Sequence, residues 1–440
     1  MKKIHKKGKN QNTNDKLSMQ FFNHCTFQFA VCRLPFILCH RPLSLFLLLV
    51  AFSQCSVAQT KITLEKAIET ALQNNLKVKN QKLNSDYLQK IIKTAYDIPN
   101  TGLISEYGRF NSNVNDIKIG VSQNMKFPTV YKMQKQLLSE QAKTGEWNEA
   151  IQKKELTKAI TIVFYELIYQ KEKEKLLLKS DSIYSEFLRK STLRFDKGES
   201  NILEKATAEN QSGQIKIQLS ELQIDYKITL SKFKTLLSAD QDFVPFSDTM
   251  KIIFDKKMDD NTMTNYPSVK LFEQEINTNK SEVSLEKSKK MPELTGGVYW
   301  QTLRSNVNFQ NSFNGIYGQF GVALPLFNSS FNHKIKALKI NIAIAENNLD
   351  YEKIKLQNQY QNLLQEYQKN KIAIDYYETK ALKNVNLIAD AANKKFINGD
   401  INYLEWVILI NQNTEIQSNY IEAVRKGNET IINLMNLTSK

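Results

Sequence analysis

Arg194-Phe195-Asp196-Lys197-Gly198-Glu199-Ser200-Asn201-Ile202-Leu203-Glu204 is answered, late in the chain, by Lys395-Phe396-Ile397-Asn398-Gly399-Asp400-Ile401-Asn402-Tyr403-Leu404-Glu405. A basic residue, Phe, Gly, Asn, Leu and Glu recur in the same order, every pair 201 positions apart. Gly120-Val121 and Gly321-Val322, remote from both stretches, keep that offset. One offset held at two distant landmarks points to duplication of a structural unit.

Outward from the two stretches, proline sets the boundaries. Beyond the first 58 residues it occurs at positions 99, 128, 245, 267, 292 and 325 and nowhere in 129–244 or 326–440. Proline ends helices by removing a donor and crowding the preceding turn, so two long helical tracts are permitted. Thr129 to Arg194 is 66 residues interrupted only by Gly145. A continuous helix of that length is about 100 Å long at 1.5 Å per residue. The matching tract, 329–395, holds no glycine. Leu219, Leu222, Tyr226, Leu230, Phe233 and Leu237 step by three and four, one stripe of an amphipathic helix.

Between the prolines the period changes to two. Ile117, Ile119 and Val121 alternate with Lys118, Gly120 and Ser122, and Ile316, Gly318, Phe320 and Val322 alternate with Tyr317, Gln319 and Gly321. Such strands suit lipid on one side and water on the other, although soluble hairpins also alternate. Their partners fall at about 103–110 and 297–303, joined through 111–113 and about 306–314. Tyr107, Val298-Tyr299-Trp300 and Tyr317 would set aromatic rings at the membrane interfaces. Four strands close no useful barrel, and open edges are not tolerated in lipid. The chain must therefore oligomerise, and three copies would give twelve strands.

The chain has 440 residues and a formal net charge of +15, about half of it in the first 58 residues. There a basic region precedes the apolar run from Leu43 to Phe52 and the small residues Ser56-Val57-Ala58. That is the pattern of a secretory signal peptide cleaved after Ala58. The run is short for a membrane-spanning helix. Cys55 offers lipoprotein attachment instead, though Gln54 before it suits that poorly, and Met19 is an alternative start. All four cysteines and three of the four histidines precede the cleavage point, leaving His333. Disulfides, thiolate metal sites and Cys/His catalysis are thereby excluded from the mature chain. Its lysines are interleaved with glutamates, which reads as solvated helix faces and not as a nucleic-acid footprint.

The predicted organisation is a leader (1–58), a first repeat (59–237), a joining segment (238–266) and a second repeat (267–440). The first repeat holds a helix over 62–98, strands within 103–126, a long helix over 129–194 and a helix over 200–237. The second holds a helix over 267–291, strands within 295–325, a long helix over 329–395 and a helix over 401–437.

The ordered set resembles the TolC family of outer-membrane efflux channels. Ile62-Thr63-Leu64-Glu65-Lys66-Ala67-Ile68-Glu69-Thr70-Ala71-Leu72-Gln73-Asn74-Asn75 is similar to that family's first helix, with Leu76 where a proline often stands. Asn265-Tyr266-Pro267 supplies the proline in the second half, and Phe195-x-x-Gly198 and Phe396-x-x-Gly399 resemble the family's turn motif. The resemblance runs from about Lys61 to Lys440. It implies a mainly α fold with a transmembrane β part: a homotrimer with a shared twelve-stranded outer-membrane β-barrel, continuous with a long periplasmic α-barrel. It further implies that the two turns dock a periplasmic adaptor protein attached to an inner-membrane pump of RND, ABC or MFS type. The matching residues are Phe195, Asp196, Lys197, Gly198, Glu199 and Ser200, with Phe396, Asn398, Gly399, Asp400 and Ile401. Glycine also suits a tight left-handed turn in its own right.

Glu405 falls where the family has a pore-facing carboxylate, and Glu204 holds the equivalent place in the first half. Threefold symmetry would make each a ring attracting cations. The plain alternative is a solvated glutamate near a helix N-terminus. Family members that lock the tip have tyrosine and arginine where this chain has Phe396 and Ile401, so closure here would rest on apolar packing. The joining segment would wrap the α-barrel as an equatorial belt.

The reading is a passive exit duct of a tripartite efflux or type I secretion system, spanning the outer membrane and extending into the periplasm, with no reaction and no cofactor. A periplasmic adaptor is the alternative, but it should carry one helical hairpin between Gly-rich β halves, whereas this chain has two helical units and 14 glycines. Enzyme function finds no support: His333 has no supporting motif, and no phosphate-binding glycine loop is present.

Overall fold

The computed structural model describes residues 60–109, 114–239, 241, 243–254, 264–303 and 313–438. The leader with Cys55, the hairpin tips at 111–113 and 306–312 and part of the joining segment lie outside the described residues.

The chain enters through a short strand, β1 (Thr60–Ile62), followed by α1 (Leu64–Asn74) and α2 (Leu76–Ile91). One helix over 62–98 is thus corrected to two, with a 3-10 turn at Ile92–Ala95. Asn75 makes the break without a following proline. Its backbone is extended (φ −60°, ψ 123°), and its Oδ1 accepts from the backbone N–H of Lys77 at 2.9 Å. Its Nδ2 donates to the Leu236 carbonyl at 2.9 Å, pinning the break to the next helical layer. A short polar side chain that bonds nearby backbone competes with the helix, and here it starts a new one.

Strands β2 (Gly102–Gly108) and β3 (Asp116–Met125) precede α3 (Pro128–Asp196), a single helix of 69 residues about 100 Å long. Gly145 does not interrupt it. A Cβ there would lie 2.8 Å from Leu88 Cδ1 and 3.3 Å from Ser85 Cα, so glycine lets α2 close onto α3. Helix α4 (Ile202–Leu237) returns along α3 to the short strand β4 (Phe243–Pro245). Then α5 (Pro267–Ser288), β5 (Glu293–Leu303), β6 (Phe313–Ala323) and α6 (Ser329–Tyr376) follow. A π-turn at Tyr377–Ala381 joins α6 to α7 (Leu382–Ile397), and α8 (Tyr403–Thr438) ends the described chain. Helices expected from 200 and 401 begin two residues later because Asn201 and Asn402 cap them from outside. The helix expected to reach 291 ends at Ser288.

The long strands form one antiparallel sheet in the order β2-β3-β5-β6, with β3 and β5 joining the two hairpins. Ladder partners share a face. Leu103, Val121 and Val298 therefore lie with Ile119, Trp300, Ile316 and Phe320, all exposed, on one side. Glu106, Lys118, Gln301, Tyr299 and Tyr317 occupy the other. Tyr299 and Tyr317 therefore depart from the expected interfacial belt. They stack on the polar face with ring centroids 5.4 Å apart, and the Lys118 ammonium stands 4.8 Å above Tyr299. Gly297 makes room for the flat ring; a Cβ there would meet Tyr299 Cε2 at 2.7 Å. The outer strands β2 and β6 each keep one edge without a neighbour among the described residues. A second, parallel pair joins β1 to β4. No helix among the described residues is long and apolar enough to cross a membrane.

Candidate functional site

At the end of α3 opposite the sheet, two helix pairs turn on glycine. Gly198 has φ +75° and Gly399 φ +80°. The hydrogen bonds are the same in both. Gly198 N–H donates to the Phe195 carbonyl at 2.9 Å and Glu199 N–H to Arg194 at 2.8 Å. Gly399 N–H donates to Phe396 at 3.2 Å and Asp400 N–H to Lys395 at 2.9 Å. This six-to-one, five-to-two pattern is the Schellman cap, which needs a left-handed residue after the helix. A Cβ on either glycine would meet nothing within 4 Å. Backbone conformation alone therefore selects glycine, and both turns present open space. Asp196, Lys197 and Glu199 are exposed around the first, Asn398 and Asp400 around the second.

Directly after each turn an asparagine caps the next helix. Asn201 Oδ1 accepts from Glu204 N–H and Asn402 Oδ1 from Glu405 N–H, each at 3.0 Å. There the likeness ends. The Glu405 carboxylate turns back to accept from Asn402 N–H at 2.9 Å, completing a reciprocal capping box. Glu204 instead meets Arg194 at 2.9 Å across its turn, and Lys205 stands 5.1 Å over the Phe195 ring. Glu405 is exposed, whereas the Glu204 side chain keeps 13 % of its surface.

The second turn is anchored inward. Phe396 and Ile401 pack on a buried cluster that joins α3, α4, α7 and α8. At its centre Phe187 stacks on Tyr403 at 3.9 Å and on Trp406 at 4.5 Å, and Phe396 lies 5.6 Å from Trp406. Trp406 Nε1 donates to Asn393 Oδ1 at 2.9 Å, and the Tyr184 hydroxyl donates to Asn411 Oδ1. Burial pushes the Tyr184 phenol up to about 12. Burial also raises Tyr403, helped by the Glu204 carboxylate of the first turn. The hydroxyls of Tyr403 and Ser200 are buried with no hydrogen-bond partner in the structure.

Both turns therefore stand at one end of the molecule, joined through aromatic packing. Phe187 and Tyr403 escaped the sequence reading. The signal for Tyr403 was its place in the stripe Tyr403, Trp406, Val407, Ile410; nothing local names Phe187 as the ring that meets it. Among the described residues no group of three His, Cys, Asp or Glu side chains is placed to hold a metal ion.

Solved structures similar to this chain identify the architecture. The outer-membrane channel OprN superposes with a TM-score of 0.72 at 11% sequence identity, over 85% of this chain and 89% of that one. This is the fold of an outer-membrane channel. CusC, described in terms of folding and transmembrane channel formation, gives 0.71 at 12% identity, over 85% and 91% of the two chains. The Campylobacter jejuni CmeC outer-membrane channel gives 0.69 at 12% identity, over 85% of each. No protein-family model matches the chain, and no characterised protein matches it by sequence. The likeness to these channels lies in the fold.

Proposed function

We propose that the chain is a passive exit duct of the bacterial outer membrane, built as a homotrimer from a duplicated helix–hairpin–helix unit. The observation that carries this reading is the sheet. Strands β3, β5 and β6 are 10, 11 and 11 residues long, the length a tilted strand needs to cross lipid. One face is apolar and exposed, the other polar, and both outer edges lack neighbours among the described residues. Three copies joined edge to edge would close a twelve-stranded barrel, with lipid outside and the Lys118 face lining the lumen.

Helix α3 would carry the duct about 100 Å into the periplasm. At its far end the turns at Gly198 and Gly399 would receive the helical hairpin of an adaptor bound to an inner-membrane pump. Open space over both glycines supports close backbone approach there. Glu405 and Glu204 would line the entrance, and the apolar seating of Phe396 and Ile401 would hold it closed. The duct performs no reaction; the pump supplies the energy.

The test is fractionation followed by gentle extraction. The protein should enter the outer-membrane fraction, migrate as a trimer and conduct ions in planar bilayers. A monomer recovered as the major form from the soluble periplasm would overturn the proposal.

A further inference from the structure

The chain passes between helices and the long-stranded sheet at four crossings: α2 to β2, β3 to α3, α5 to β5 and β6 to α6. Three of them meet around one cavity of about 330 Å³. The first lends it Thr94 and Asp97, the second Lys126 and, one turn into α3, Tyr131; the third lends Lys289. Each charged residue has an exposed apolar neighbour on its sheet side along the chain. Ile98 follows Asp97, Met125 precedes Lys126 and Met291 lies two residues beyond Lys289. Tyr96, also exposed, stacks on Tyr131 with ring centroids 6.1 Å apart. The fourth crossing is apolar outright, with Leu324, Leu326 and Phe327 exposed. Just inside the sheet, Leu103 and Val121 continue the exposed apolar surface.

The charges of the cavity are not matched to one another. Asp97 and Lys126 both line it and both are exposed, yet neither forms an ion pair among the described residues. Lys126 is tied through its backbone alone, whose N–H donates to the Tyr131 hydroxyl at 3.1 Å. Lys289 meets Glu286 at 2.9 Å, but the same carboxylate serves Lys334 at 3.2 Å, so one carboxylate answers two ammonium groups. The cavity therefore offers positive charge and a separate carboxylate. A ligand bearing a phosphate and an ammonium matches both signs. A purely anionic head would leave Asp97 unanswered.

We propose that this cavity seats the head of a zwitterionic phospholipid. The phosphate would meet Lys126 and Lys289, the primary ammonium would meet Asp97, and the acyl chains would lie over Ile98, Met125 and Tyr96. The proposal rests on the duct reading, which sets this end of the sheet at the periplasmic surface of the membrane, where phospholipid heads lie.

Phosphatidylethanolamine and phosphatidylglycerol share the phosphate and differ in the ammonium, so the two together are the probe. The full chain, extracted gently as a trimer, is titrated with the dihexanoyl form of each and the bound lipid counted by native mass spectrometry. Wild type should hold phosphatidylethanolamine about tenfold more tightly, the worth of one charge-assisted contact. Asp97→Asn should bring the two lipids level. Lys126→Gln should weaken both about tenfold, and Lys126→Arg should keep both. Lys82→Gln, an exposed lysine outside the cavity, should change neither. Glycerophosphoethanolamine, the same head without acyl chains, should bind more weakly than the lipid. Four results would overturn the proposal: no preference in wild type, a preference that survives Asp97→Asn, a bare head that binds as tightly as the lipid, or lipid bound only after the trimer is dissociated. The last would mean that a second copy fills the cavity. A soluble monomer would sink the duct reading and this one with it; a conducting trimer without the preference would sink this one alone.

Discussion

The two glycine turns share a backbone and differ in what holds them. Around Gly198 the flank is electrostatic: Arg194 reaches Glu204 across the turn, and Lys205 covers Phe195. Around Gly399 it is apolar: Phe396 and Ile401 face the cluster of Phe187, Tyr403 and Trp406, and Glu405 is spent on its own helix cap. A partly exposed ion pair contributes about 0–1 kcal/mol and can be exchanged for another partner. A ring stack cannot move without exposing large apolar area. Turn geometry is thus local and repeatable, whereas anchoring depends on what the rest of the chain brings alongside. The first turn is the adaptable one and the second the fixed one.

The largest effect should come from the anchor. Phe187→Ala removes the ring that Tyr403 and Trp406 share, and a buried aromatic truncation costs about 3–5 kcal/mol. Thermal unfolding and proteolysis of the tip should both shift. If the Gly198 turn is disturbed as much as the Gly399 turn, the asymmetry drawn here is wrong. Next come the glycines. Valine at 198 or 399 must take a positive φ that a β-branched residue resists, and it would obstruct an approaching hairpin. Efflux should be lost with trimer and membrane insertion intact. Asparagine at the same positions should retain much of the function, because no neighbour lies within 4 Å of the added Cβ. Equal loss with asparagine and valine would show that bulk, not backbone conformation, is what matters.

Smaller effects separate the caps. Asn201→Ala and Asn402→Ala should each cost about 1 kcal/mol in thermal unfolding. The second should cost more, because the reciprocal bond from Glu405 loses its geometry with it. Glu405→Gln keeps an acceptor for Asn402 N–H, so structure should persist while charge is lost. Single-channel recordings should then show weaker cation preference and weaker block by trivalent cations; unchanged selectivity would return Glu405 to an ordinary helix-capping role. The smallest effect belongs to Arg194→Gln, about 0.5 kcal/mol and shrinking with added salt. A large, salt-independent loss would mean the pair is more than a surface contact.

Much of this was readable from residue order. The offset of 201 located both turns, and the alternation of Ile119 and Val121 with Lys118 and Gly120 gave the faces of β3. What escaped did so for physical reasons. Asn75 broke a helix because its side chain found the Leu236 carbonyl, a partner 161 residues away. Tyr299 was placed with Val298 and Trp300, yet three successive strand residues cannot share one face. The glycines at 120 and 297 were the missed clue, since they clear the space in which the ring lies flat. At the tip, sequence named the turn residues but not their anchor, because Phe187 and Tyr403 belong to different halves and meet only through tertiary packing.

The ladder between β3 and β5 also sets a timetable. Thr302 Oγ1, which accepts from Ile117 N–H, lies 185 residues further along the chain. A contact so distant in sequence forms late, because the intervening chain must be ordered before the contact contributes. In the proposed duct the first hairpin would be delivered during export long before its partner and would wait in the periplasm with β3 unmatched on one side. An exposed strand edge of that kind invites wrong pairing. Chains truncated before Glu293 should therefore depend on periplasmic chaperones more heavily than chains that reach Ala323. Pulse-labelled export with and without those chaperones would time the wait.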